Sequence, residues 1–236
     1  MDISNREKKI ILIGASGLAK EIIDTINEIN KIENKITLLG IIDDNKNLEG
    51  KTFYNQKIIG TSERINEFFY DDIAFFISFC SIKNFLKRGD YVLNLINKYN
   101  NIRFANIIHP TSWVSPSVSI GQGNFIARNV VISSDAMIGN NNVFHFNSII
   151  GRNVNIGDNN FFSASINVTS GVTIRKNTFI SAKSTITSNL NENVLLAAGT
   201  TVRSNIEKNS IVYSEQEKII SFGNLSKFTQ AVQTFI

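Results

Sequence analysis

Cysteine occurs once in the 236 residues, as Cys80, which excludes an intrachain disulfide framework. Histidine is nearly as scarce, with His109 and His145 alone. One thiol and two imidazoles offer no ligand spacing, so no metal is expected. Long hydrophobic runs are missing: the longest, Ile73 to Phe79, is far too short to cross a bilayer. The stretch MDISNREKK is polar and leads into only four apolar residues, Ile10 to Ile13, which fits neither a signal peptide nor an anchor. The expectation is a soluble, cytoplasmic protein without a membrane partner. No run of Lys and Arg is dense enough for a nucleic-acid stripe, although the net charge is +4. That surplus reads either as a lysine-rich surface or as a mild pull on phosphorylated substrates. No nucleophile elbow is present, so a Ser-His-Asp hydrolase has no support.

What the chain does have is a period of six. Thirteen large apolar residues recur at that spacing from Val114 to Ile186, among them Ile120, Ile126, Ile132, Ile138 and Phe144. The next residue is small in eleven of the thirteen cases, and only His145 and Arg175 break that rule. A period of six fits neither a helix nor a hairpin sheet, and it predicts a parallel β-helix of hexapeptide repeats. Three hexapeptides close one triangular coil, with the large residue pointing inward and the small one expected at a tight turn. Coils stack about 4.8 Å apart and bury their apolar faces only against neighbours. The period is expected to begin after His109-Pro110, to break at Asn189–Asn193, and to resume out of phase at Leu196 and Val202.

Ahead of the repeats, strands and helices alternate. Residues 8–13, 35–42 and 73–79 read as strands, with a short one at 57–59. Helices are expected over 18–29, over 63–69 with Ser62 as N-cap, and over 82–99 opened by Ser81. This predicts a small parallel α/β domain over 1–107, a β-helix over 108–212, and a cap over 213–236. Gly14-Ala15-Ser16-Gly17 joins the first strand to the first helix. Such a turn can point backbone N–H groups at a phosphate or ribose, or it can simply be a tight connection. It is not the full dinucleotide fingerprint, which disfavours NAD.

The Gly14-x-x-Gly17 turn, Asp43-Asp44 after the second strand, the His109-Pro110 entry and the hexapeptide prism together resemble one group. It is the sialic acid O-acetyltransferase and UDP-N-acetylbacillosamine N-acetyltransferase family of nucleotide-sugar acetyltransferases. The resemblance covers about 8–213. It implies a left-handed prism, a homotrimer with sites between subunits, acetyl-CoA as co-substrate and a nucleotide-linked sugar as substrate. By position it implies that Gly14, Ser16 and Gly17 line the nucleotide site, with Asp43 and Asp44 near base or ribose. Ser81 and Ile82 would approach the phosphates, and Ser170, Ala182, Ala197 and Ala198 would contact CoA. Surface polysaccharide or glycan synthesis is the implied setting.

Two departures bear on the chemistry. The family's catalytic histidine, four residues before an Ile-Gly-acidic step, falls on Arg152, and its acidic partner on Asn153. The closing Gly-x-Pro-Ala signature is replaced by the region of Tyr213 to Gln216. His145 stands seven residues before Arg152, where the family tends to have asparagine. It reads either as a general base or as a histidine exposed at a prism edge or trimer contact, while His109 reads as structural. A sugar hydroxyl needs a well-placed base to be acylated, whereas a neutral amine is already nucleophilic. The expected activity is therefore N-acetylation of a nucleotide-linked amino sugar, such as a 4-amino-4,6-dideoxyhexose, with His145 and Arg152 at the catalytic positions. O-acetylation, transfer of another acyl group, and a catalytically silent trimeric binding protein stay open.

Overall fold

The computed structural model describes residues 8–33, 35–70, 72–99, 101–213 and 219–234. The first sheet is built from β1 (Lys8–Ile13), β2 (Ile36–Ile42), β3 (Thr52–Phe53), β4 (Gln56–Gly60) and β5 (Ile73–Ile77), in the order β3-β4-β2-β1-β5. All neighbours are parallel except the β3–β4 hairpin. β1 is apolar on both faces because both are covered. Ile10 and Leu12 pack with residues of α1 (Gly17–Glu33), and Ile11 and Ile13 with residues of α2 (Phe85–Lys98).

Two local expectations fail. Ser62 does not cap an α-helix: Ser62–Phe68 is a 3-10 helix, and the preceding Thr61 makes no side-chain capping bond. Helix α2 starts at Phe85 because Asn84 Oδ1 accepts the Ser81 backbone N–H at 2.6 Å, holding residues 81–84 in a turn.

The second unit is a parallel β-helix, left-handed and three-sided. It begins ahead of His109-Pro110 rather than behind it, since Ile107 and Ile108 already pair with Phe125 and Ile126. The period-of-six residues point inward and are buried from Ile126 onward. They stack in columns, as where the Phe144 and Phe162 rings lie 4.6 Å apart and nearly parallel.

The tight corner is not at the small residue. Positive φ falls three positions after each inward residue, at eleven consecutive corners from Gly123 to Lys183, mostly on asparagine such as Asn129, Asn141 and Asn153. Asparagine tolerates the left-handed region better than other non-glycine residues. The small residue meets a different need. A Cβ on Gly139 would lie 2.8 Å from the Gly157 carbonyl oxygen one coil along, so coil-to-coil approach sets the size limit there.

A buried ladder supports the stack. Asn142 N donates to Asn124 Oδ1 at 3.0 Å, Asn160 N to Asn142 Oδ1 at 2.9 Å, and Thr178 N to Asn160 Oδ1 at 2.8 Å. These side chains satisfy backbone donors that the strand ladders miss. The break near Asn189 is a shortening of the coil. Ile174 bridges Leu190, Ile180 pairs with Leu196 and Ile186 with Val202, each sixteen residues on. The next coil repeats the step, with Leu190 bridging Ile206.

Strand Ile219–Ser221 pairs antiparallel with Ser210–Val212, and α3 (Leu225–Thr234) lays Phe228 and Val232 onto the core. One prism face is docked on the α/β unit. Its outward side chains Phe125, Val143, Phe161, Phe179, Leu195 and Ile211 share one buried cluster with α1 and Phe85. At roughly 1.5–3 kcal/mol for each large side chain fully buried, that contact joins the two units into one body.

Cys80 packs against the same cluster, and burial pushes its thiol up to about 12. Its thiolate fraction at pH 8 is then on the order of 10⁻⁴. Native protein should therefore react only slowly with a disulfide reagent at pH 8, and fully once denatured. Rapid native labelling would show that the packing around Cys80 is wrong.

Candidate active site

The carboxyl ends of β1, β2 and β5 surround a cavity of 380 Å³. The chain leaves β1 toward β2 while β5 lies on the other side, so this is the topological switch point where open α/β sheets bind ligands. Gly14, Ser16, Asp43 and Asp44 line it. Gly14 has φ +106°, and a Cβ there would meet the Phe79 ring at 2.7 Å, so no other residue fits without strain.

Asp43 builds the turn. Its Oδ2 accepts the Ala15 N–H at 2.7 Å and its Oδ1 accepts the Asn45 N–H at 2.9 Å. Ser16 Oγ donates to the Ser78 carbonyl at 2.7 Å and accepts the Leu18 N–H at 3.2 Å, which ties the start of α1 to the end of β5. Asp44 accepts from the Ser62 N–H at 2.8 Å and from the Tyr91 hydroxyl at 3.4 Å. Burial raises the Tyr91 hydroxyl well above its ordinary range, so it stays a donor. Gly17, Ser81 and Ile82 are not among the lining residues: Gly17 is exposed at the start of α1, and Ile82 packs toward the core.

Both histidines lie where α1 meets the prism. His109 is buried; its Nδ1 accepts the Thr111 N–H at 3.1 Å and its Nε2 lies 2.8 Å from Glu28. The His109 hydrogen bond, with Arg128 beside it, holds the Glu28 carboxyl below the usual range. His145 is not an exposed edge residue. Its Nδ1 lies 3.0 Å from Glu21 Oε2, its side chain is 12% exposed, and its ring packs on Phe161 at 4.9 Å. Its Nε2 is shielded from water and has no hydrogen-bond partner among the described residues. A second cavity, of 260 Å³, opens beside this contact between Glu21, Asp24 and His109 on one side and Phe125, Ala127 and Phe146 on the other.

Arg152 stands elsewhere. It is exposed at the next corner of the triangle, with its N–H donating to Ser170 Oγ at 3.2 Å one coil along. Ala182 sits instead on the corner column that passes through Phe146, where its carbonyl accepts the Gly199 N–H just after Ala197 and Ala198. The expected CoA residues thus divide between two prism edges, Ser170 with Arg152 on one and the three alanines on the other. Ser214, Glu215 and Gln216 lie outside the described residues. No cluster of metal-ligating side chains occurs among the described residues, and none of the described helices is long and apolar enough to cross a membrane.

Comparison with known proteins places this architecture. Residues 9–84 match the PglD N-terminal domain. The whole fold resembles the H141N mutant of perosamine N-acetyltransferase from Caulobacter crescentus, solved with CoA and GDP-perosamine, at 17% identity and TM-score 0.79, covering 91% of this chain and 97% of that one. WeeI of Acinetobacter baumannii matches at 18% identity and TM-score 0.75, over 90% of this chain and all of that one. The acetyltransferase domain of PglB from Neisseria gonorrhoeae matches at 17% and 0.68, over 90% and 100%. At these identities the likeness is one of fold. A curated relative, an uncharacterized protein of Acanthamoeba polyphaga mimivirus, is 31% identical over 128 residues, 53% of this chain, and the match spans 22% of that protein's length.

In and around the α/β unit, sequence reasoning missed Phe79, Asn84 and Tyr91 as cavity walls, and Glu21 as the neighbour of His145. Phe79 carried a usable signal, since it ends an apolar strand opposite the glycine turn. Tyr91 and Glu21 carried none, because each reaches its site only through helix packing.

Proposed function

We propose that the protein is an acetyl-CoA-dependent N-acetyltransferase acting on a nucleotide-linked amino sugar, most simply a 4-amino-4,6-dideoxyhexose. One observation carries the reading: a switch-point cavity in a PglD-type domain is fused to a hexapeptide prism whose usual base position holds an exposed arginine. A guanidinium accepts no proton at physiological pH, so the acceptor must be a nucleophile that needs little help. An amine meets that requirement and a hydroxyl does not. The resemblance in fold to enzymes solved with CoA and GDP-perosamine supports the same acceptor class.

The nucleotide is read in the cavity of Gly14, Ser16, Asp43 and Asp44, with Gly17, Ser81 and the backbone of Ile82 flanking the phosphates. The amine nitrogen attacks the thioester carbonyl, an N–C bond forms and the C–S bond breaks. The proton on nitrogen passes to His145 Nε2 and from there to the departing thiolate. Arg152 and Ser170 on one edge, and Ala182, Ala197 and Ala198 on the other, hold CoA between neighbouring prisms, with Arg152 facing its anionic groups. No metal takes part in this scheme. A nucleotide-activated sugar as substrate fits a cytoplasmic enzyme that serves surface polysaccharide or glycan synthesis.

A shared site needs copies side by side. Trp113, Val131 and Ile149 are stacked neighbours on an outward prism face, and Trp113 and Ile149 are 54% and 48% exposed. Such a strip is a surface for self-association. Light scattering should give a mass near three times 26.3 kDa; a clean monomer would remove the shared site. The function itself is tested by thiol release from acetyl-CoA against UDP-, TDP- and GDP-linked amino sugars. Release with none of them leaves a silent binding protein, and release with hydroxyl sugars alone makes it an O-acetyltransferase.

A further inference from the structure

The ring nitrogens of the chain's two histidines meet different surroundings. His109 accepts the Thr111 N–H at Nδ1, so its ring proton sits on Nε2, where it donates to Glu28. Both nitrogens are committed, and this ring has no lone pair left for chemistry. His145 is the reverse. Its Nδ1 lies 3.0 Å from Glu21 Oε2, an ion-pair contact that favours the proton on that nitrogen, and Nε2 has no partner among the described residues. The corner that carries it is clamped, because Ser148 Oγ donates to the His145 carbonyl at 2.9 Å and the His145 N–H donates to the Phe162 carbonyl at 2.9 Å. Phe161 packs on the ring, and Phe146 meets it edge-on at 6.0 Å.

We infer that Glu21, supplied by the α/β unit, is the positioning residue for His145, a role that rests on the reading of His145 as proton acceptor. Glu21 holds the imidazole in the tautomer that leaves Nε2 free, and its charge stabilises the imidazolium formed when Nε2 takes the amine proton. The carboxylate comes from a helix of the other unit rather than from the residue after the base, so docking of the two units completes the pair. Glu21 and Phe146, which both meet the His145 ring, also line the 260 Å³ cavity.

The tautomers are read directly by long-range ¹H–¹⁵N NMR on uniformly ¹⁵N-labelled protein at neutral pH, with His109 as internal control. Wild type should show one Nε2–H ring and one Nδ1–H ring. Glu21→Ala should convert His145 toward the Nε2–H form and leave His109 unchanged. A His145 that keeps its proton on Nδ1 without Glu21 overturns the inference, whatever the enzyme's activity. In thiol-release assays, Glu21→Gln, which keeps an acceptor atom but no charge, should lower kcat by between tenfold and the roughly hundredfold loss of the base itself, with KM little changed. On a His145→Asn background the same change should have no further effect. A kcat loss of equal size on that background overturns the inference, because Glu21 would then act on something other than His145. Absence of transfer to any amino sugar by wild type would sink the functional reading instead, and the tautomer measurement would still decide what fixes His145.

Discussion

Asp43→Ala should weaken nucleotide-sugar binding by roughly ten- to a hundredfold and leave acetyl-CoA binding unchanged. The size follows from what the carboxylate does. It takes two backbone N–H groups, from Ala15 at 2.7 Å and Asn45 at 2.9 Å. Hydrogen bonds to a charged group contribute roughly 1.5–3 kcal/mol each, and here they fix the two loops that face each other across the cavity. Asp44→Ala should cost less, since it accepts one backbone N–H, from Ser62 at 2.8 Å, and its bond from Tyr91 is long at 3.4 Å. Titration calorimetry with both ligands checks the claim. Equal weakening of both would mean that the substitution loosens the whole chain or that the cavity serves another purpose.

The second large effect concerns the acceptor. With Arg152 at the usual base position, transfer to the amino sugar should be measurable and transfer to the matching hydroxyl sugar should not. His145→Ala should then slow turnover about 10²-fold if Nε2 takes the proton. His145→Asn keeps a polar side chain but no base. Near-full activity in that variant would reduce the position to a polar contact. A pH–rate profile for His145→Asn that superimposes on wild type would assign the ionisation to the free amine. Wild-type transfer to the hydroxyl sugar as fast as to the amine would defeat the inference from Arg152 altogether.

The prism was legible in the sequence because its physics is local and repeated. Each inward residue such as Ile132 or Ile150 meets its counterpart one coil later, and the same spacing recurs too often for another fold. The corners were misplaced because a small residue has two possible reasons to be small. Gly139 is small for its neighbour in the next coil, and the left-handed turn belongs to Asn141 two positions on. The shortening after Ile186 looked like lost phase, since a deletion of two residues shows only when strands are paired. On the α/β side, Gly14, Ser16, Asp43 and Asp44 were readable as strand-end residues, and the structure brings them to one cavity. His145 stood out by size, but Glu21 did not. Their meeting depends on how α1 docks on the prism, which no short-range pattern encodes.

That docking also bears on how the molecule comes apart. A solenoid held only by its neighbours frays coil by coil from an end. Here the outward side chains from Phe125 to Ile211 lie in a single buried cluster with α1, Phe85 and Phe228, so one surface crosses the stack from its early coils to its last. It acts as a splint. The terminal coils cannot loosen without pulling apolar surface away from the α/β unit. The chain should therefore melt as one cooperative block rather than unravel in steps.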